Sequence, residues 1–173
     1  MKMSKKILIL GNGGSGKTTL ALTCKSILHY PILHLDGIYW DKKWHKNTLE
    51  FFEEKTSQFM EKPFWIIEGT PMHDLANRLT HADTIIFLDI NRSVCIFRML
   101  IRAIKNICPS KNSKKIDSPA NGFSITAIKW VWKFNRQKRA AIISEINQRK
   151  KSKVVFFIKN KADLHNIISY LNQ

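Results

Sequence analysis

The chain has 173 residues and is 44% apolar, enough for one domain with a proper core, so disorder is not the default. No apolar run approaches about 18 residues, which argues against a membrane span. Cys24, Cys95 and Cys108 form no C-x-x-C pair, which favours buried thiols in a reducing cytoplasm. The net charge of +16 is uneven: residues 98–153 carry 15 Lys/Arg against Asp117 and Glu145, a segment charge of +13 that leaves +3 for the remainder. Such a segment reads as a surface for a polyanion, either nucleic acid or something no larger than a nucleotide. A solvated helix face in a lysine-rich chain would give the same composition.

The basic residues Met1–Lys6 precede a short apolar stretch and read as the approach to a first strand, not as a signal peptide. Apolar patterning then alternates strand and helix throughout. The expected order is a strand at about 5–10, a helix at 16–28, a strand at 31–35, a polar aromatic loop at 36–46 and a helix at 47–60. A strand follows at 64–68, then a short helix at 72–80, a strand at 83–88 and a helix at 92–106. Residues 107–122 hold Pro109, Pro119, Gly122 and three serines and read as a mobile, lid-like insertion. One long helix is expected at 123–148, a strand at 154–158 and a last helix at 162–171. Five apolar strands alternating with helices imply an α/β fold, a parallel sheet covered on both faces, within a single domain spanning 1–173.

Between the first strand and the first helix stands Gly11-Asn12-Gly13-Gly14-Ser15-Gly16-Lys17-Thr18, which fits the phosphate-loop pattern G-x-x-x-x-G-K-[ST] in the right context. Its glycines let backbone N–H groups turn inward around phosphate oxygens, and the helix N-terminus adds positive potential. Gly11, Gly13, Gly14, Ser15, Gly16, Lys17, Thr18 and Thr19 are therefore the expected nucleotide site. Lys17 is expected to reach the β- and γ-phosphates, and Thr18 to bind Mg²⁺ through its hydroxyl.

In a parallel sheet, ligands gather at the carboxyl ends of the strands. Glu68 ends the third strand, where a carboxylate can hold Mg²⁺ through water or steer the attacking group; a helix-capping acid is the alternative. Asp36 ends the second strand and can hold a hydroxyl or a base edge of an acceptor, or simply form an Asp-Gly turn. Trp40 and Trp44 can stack on a base or plug a hydrophobic gap. Arg98 and Arg102, one turn apart, precede the 107–122 segment, and Arg136 and Arg139 follow it. Arginines on both sides of one loop suggest a lid that closes over phosphates. Arg78 is a candidate for holding an acceptor phosphate. The histidines show no metal-ligand spacing, so Mg²⁺ carried by the nucleotide is the only metal expected. Asn160-Lys161-Ala162-Asp163 matches the guanine-recognition pattern N-K-x-D, but only ten residues follow it and they read as one helix, so the match is read as chance. Phe123, Trp130, Trp132 and Phe134 lie among the basic residues and either stack on bases or pack the long helix onto the sheet.

Together these motifs resemble the bacterial topology modulation proteins, a family of adenylate-kinase-related P-loop kinases. The resemblance rests on GNGGSGKTTLA at 11–21, HLDGIYW at 34–40, WIIEG at 65–69, ADTIIFLDINRSVCIFRMLIR at 82–102 and WVWKFNRQKR at 130–139. It implies a three-layer P-loop NTPase core with strand order 2-3-1-4-5, an adenylate-kinase-like lid, and ATP·Mg-dependent phosphoryl transfer. It also implies the assigned roles of Lys17, Thr18, Arg98, Arg102 and Arg136. The chain departs from the family at Glu68-Gly69-Thr70-Pro71, where Asp-Gly-Asn-Tyr is expected. The acceptor expected is small, a nucleotide or nucleoside. The rival function is a nucleic-acid-binding ATPase or regulator acting on DNA topology through residues 98–153.

Overall fold

A computed structural model describes residues 4–39, 45, 47–107 and 125–171, with backbone alone for 105–107, 125–127, 135 and 136. Trp40, Trp44, Cys108, Phe123 and nearly all of the 107–122 insertion lie outside the described residues. The strands are β1 (Lys6–Gly11), β2 (Ile32–His34), β3 (Trp65–Glu68), β4 (Thr84–Leu88) and β5 (Val154–Ile158). They form one parallel sheet in the order β2-β3-β1-β4-β5. The helices are α1 (Lys17–Leu28), α2 (Leu35–Tyr39), α3 (Leu49–Met60), α4 (Leu75–His81), α5 (Arg92–Ile107), α6 (Ile125–Gln137), α7 (Arg139–Arg149) and α8 (Lys161–Leu171). No helix among the described residues is long and apolar enough to cross a membrane.

Alternation along each strand divides the core into two layers. In β1, Leu8 and Leu10 join Phe52, Trp65, Ile67, Leu79, Phe134 and Ile142 on one face. Ile7 and Ile9 join Leu20, Cys24, Ile66, Ile86 and Ile167 on the other. Every β1 residue from Ile7 onward is buried, as a central parallel strand requires. Asp83 fixes the start of the sheet, its Oδ2 accepting from the backbone N–H groups of Lys5 and Lys6 at 2.9 Å each.

Two expectations are corrected. The 36–46 loop begins with a helix, α2, which continues directly from β2. The long helix expected at 123–148 is two helices broken at Lys138. At the break, the Arg139 guanidinium donates to both Asp89 oxygens at 2.6 Å, fastening the first residue of α7 to the loop after β4. The fork geometry of Arg on a carboxylate fixes direction as well as distance.

The N-K-x-D sequence has a structural explanation. Asp163 Oδ2 accepts from the N–H groups of Lys159 and Asn160, while Asn160 Oδ1 accepts from the Asp163 N–H at 3.0 Å. This reciprocal pair caps the N-terminus of α8.

Candidate active site

The phosphate loop leaves the buried end of β1 and turns into α1. At Gly14 (φ +75°), a Cβ would collide with the carbonyl oxygen of Cys95 in α5, so the loop lies directly against that helix. Asn12 braces the turn: its Oδ1 accepts from the Gly13 N–H at 2.8 Å, and its Nδ2 donates to the Val131 carbonyl in α6 at 2.9 Å. The motif pattern leaves position 12 unspecified, so its second bond had no signal in the sequence. Arg98 Nη1 donates to the Ser15 carbonyl at 3.1 Å, which places this arginine at the loop. Arg102 is one turn further along α5 and exposed. Arg136 belongs to α6, but its side chain is outside the described set.

Lys17 is 9% exposed and its ammonium donates to the Asn12 carbonyl at 3.0 Å, folded back over its own loop. Thr18 donates its hydroxyl proton to Glu68 Oε1 at 3.0 Å, and His34 Nδ1 lies 2.8 Å from the same oxygen. One carboxylate at the end of β3 therefore joins the first turn of α1 to the end of β2. Glu68 is 4% exposed, and its Oε2 is buried without a partner. Burial pushes this carboxyl up, but the His34 hydrogen bond, Lys17 and Thr18 outweigh it and hold it below the usual carboxylate range. Asp36 opens into the cleft beside this group. Desolvation by the cleft walls, with a smaller contribution from the Glu68 charge, raises its pKa against the opposing pull of Lys17 and His34.

The segment after β3 turns sharply. Gly69 has φ +130°, and a Cβ there would approach the Leu35 Cβ at 2.8 Å. Beyond it the Thr70 hydroxyl takes over the pairing of the strand. It donates to the Gly11 carbonyl at 2.7 Å and accepts from the Gly11 N–H at 3.1 Å. At one of the positions that depart from the family pattern, a side chain thus extends the β1–β3 ladder to the mouth of the phosphate loop.

Arg78 differs from its expected position. It is fully buried, and its guanidinium donates to the carbonyls of Pro71, His73 and Asp74. Its Nη1 has no partner and is enclosed. Burial lowers its pKa to about 10. It organises the 71–74 turn from within and presents no open face to an acceptor. Arg139, grouped with the lid arginines, is held by Asp89.

The aromatic residues of α6 divide. Phe134 is core, whereas Trp130 and Trp132 are 42% and 46% exposed. Each carries a cation over its ring, Lys138 at 5.0 Å from the Trp130 centroid and Arg92 at 3.8 Å from that of Trp132.

These donors suit a nucleoside triphosphate with Mg²⁺. A hydroxyl and an ionised carboxylate are hard oxygen ligands. The unpartnered Glu68 Oε2 and Ser15 Oγ are buried polar atoms awaiting a partner. Among the described residues, no group of three or more His, Cys, Asp or Glu is arranged to hold another metal.

No family model matches the chain, and no curated protein matches it. Among solved structures, the 1.7 Å crystal structure of shikimate kinase from Bacteroides thetaiotaomicron is similar over 95% of this chain and 94% of that one, with 18% identity and a TM-score of 0.52. The α/β P-loop kinase fold, with sheet order 2-3-1-4-5, is thereby established.

Proposed function

We propose that this chain is a P-loop kinase that transfers the γ-phosphoryl group of ATP to a hydroxyl of a small acceptor. The observation that carries the reading is the meeting of Thr18 and His34 on one buried Glu68 oxygen, beside Lys17. In it the phosphate loop and the acceptor end of the sheet share one charged group.

Residues Gly11–Thr19 hold the triphosphate through inward N–H groups, and Lys17 exchanges the Asn12 carbonyl for phosphate oxygens. Thr18 and Glu68, the latter through water, hold Mg²⁺, which neutralises phosphate charge. Glu68 also keeps His34 oriented at the cleft. Asp36 receives the acceptor hydroxyl, and Trp40 lies four residues further along the same segment. Arg98, with Arg102 and Arg136, supplies positive charge to the transferring group from the sides of the 107–122 lid. Positioning and charge neutralisation dominate this chemistry, so the precision of the cradle matters more than the strength of any base. The motifs at 11–21, 34–40 and 82–102 support placing the chain with the topology modulation proteins.

Half-exposed Trp130 and Trp132 amid basic residues favour one second reading, a nucleic-acid-dependent ATPase. The deciding experiment is ATP turnover against nucleosides, nucleotides and short DNA, with Lys17→Ala as the blank. A phosphorylated small acceptor, absent in the blank, supports the kinase. Hydrolysis stimulated only by DNA, and lost steeply as salt rises, supports the second reading.

A further inference from the structure

The acceptor end of the cleft is acidic within a chain of strongly positive charge. The described segments there are 34–39, 45, 47–53 and 68–74. They hold Asp36, Glu50, Glu53, Glu68 and Asp74, five of the chain's 13 acids, and not one of its 29 Lys/Arg. Lys42, Lys43 and Lys46 lie outside the described residues. Glu53 is engaged by His73, whose Nε2 lies 2.7 Å from its Oε1, which ties α3 to the 71–74 turn. The nearest arginine, Arg78, is sealed behind that turn with its donors on backbone carbonyls. Lys17 and Arg98 belong to the phosphate loop. Glu68 is ninety-six per cent buried, and its Oε2 still lacks a partner.

A phosphate or carboxylate entering this end would meet Asp36 and Glu68 with no described cation of its own. Like charges brought together in a cleft of low polarity repel, and an anion must also give up its hydration to enter. A hydroxyl or ammonium group meets acceptors instead. We infer that the acceptor is an uncharged or cationic hydroxyl compound, such as a nucleoside, a polyol or an amino alcohol, and not a phosphate or carboxylate. The inference rests on the kinase reading and narrows it. The transfer balances without another reactant. The acceptor oxygen bonds to the γ-phosphorus, the bond from that phosphorus to the bridging oxygen breaks, ADP leaves with the electron pair, and the hydroxyl proton passes to Asp36.

The test uses the full chain with ATP and Mg²⁺ and matched acceptor pairs. These are nucleosides with their 5′-monophosphates, and polyols and amino alcohols with the corresponding hydroxy acids. ATP binding is titrated separately in wild type and in Lys17→Ala. The expected result is a kcat/KM at least about 10-fold higher for the non-anionic member of a pair. Asp36→Asn should bring that ratio towards one, even as it lowers the rate. Preference for the anionic member, or equal use of both, overturns the inference and points to Arg78 Nη1 or to lysines of the 42–46 stretch as anion holders. ATP binding without phosphorylation of any non-anionic acceptor also overturns it. Absence of Lys17-dependent ATP binding refutes the kinase reading itself, and the acceptor class falls with it.

Discussion

Replacing Thr70 with valine isolates one interaction. The two side chains have nearly the same shape, so no cavity opens, and only the hydroxyl is lost. Its two bonds are the whole pairing of Gly11 on the β3 side, at 2.7 and 3.1 Å, and all the atoms concerned are buried. Removing one partner of a buried bond strands the other, at about 1–3 kcal/mol per group. With two stranded groups, and some relaxation at a strand end, the loss is roughly 2–4 kcal/mol. For a chain of this size that corresponds to a fall in Tm of about 4–16 °C. Urea unfolding followed by far-UV circular dichroism measures the loss, and titration with a fluorescent ATP analogue reads the parallel weakening at the loop that Gly11 begins. Thr70→Ser, which retains the hydroxyl, should recover most of both. A valine variant within about 0.5 kcal/mol of wild type, with unchanged ATP affinity, would refute the argument that Thr70 stands in for a strand residue.

Four further outcomes follow from the same geometry. Lys17→Ala should lower turnover by roughly 10²-fold or more while leaving the far-UV spectrum unchanged, as read in single-turnover assays. Gly14→Ala should weaken ATP binding and destabilise the fold, because the new Cβ strikes the Cys95 carbonyl at a positive φ; paired calorimetry and binding titrations test it. Arg139→Lys keeps the charge but loses the fork on Asp89, and a loss of about 1 kcal/mol in urea midpoint is expected for this partly exposed pair. The two cleft carboxyls should respond oppositely to pH. Glu68, with its folded pKa depressed, adds stability that is complete above its unfolded value of 4.5 and is lost as pH falls through the folded pKa. Asp36, with its folded pKa raised above 3.8, costs stability increasingly as pH rises through the folded pKa. Asp36→Asn should therefore raise Tm at pH 7 but not in acid, and it should lower phosphorylation at both. An acid-only gain would contradict the sign.

Much of the frame was legible because parallel strands buried on both faces read as uninterrupted apolar runs. The extents of β1, β3, β4 and β5 agree with the pattern to within a residue or two. The phosphate loop was legible because its chemistry restricts residue type at fixed spacing. Other features had no such signature. Asp36-Gly37 is a strong turn signal, and it concealed the short helix α2, whose Leu35 is driven inward by packing. The break at Lys138 depends on Asp89, some fifty residues away, so no local period could reveal it. An arginine reads as a surface or ligand-binding residue, and only the carbonyl-rich turn at 71–74 makes burial of Arg78 tolerable. For Thr70, the departure from the family pattern was visible, but its pairing with Gly11 required the register of β1 against β3.

The placement of β1 has a consequence for synthesis. This strand is made first, yet it lies at the centre of the sheet, and both of its neighbours, β3 and β4, are encoded much later. At about 5–20 residues per second, the ribosome takes several seconds to deliver the end of β4 after Gly11 has emerged. Throughout that interval the run Ile7-Leu8-Ile9-Leu10 has no edge to join. A nascent chain halted before Trp65 should therefore be a ready client for a chaperone, and the nucleotide loop should be among the last parts of the molecule to take shape.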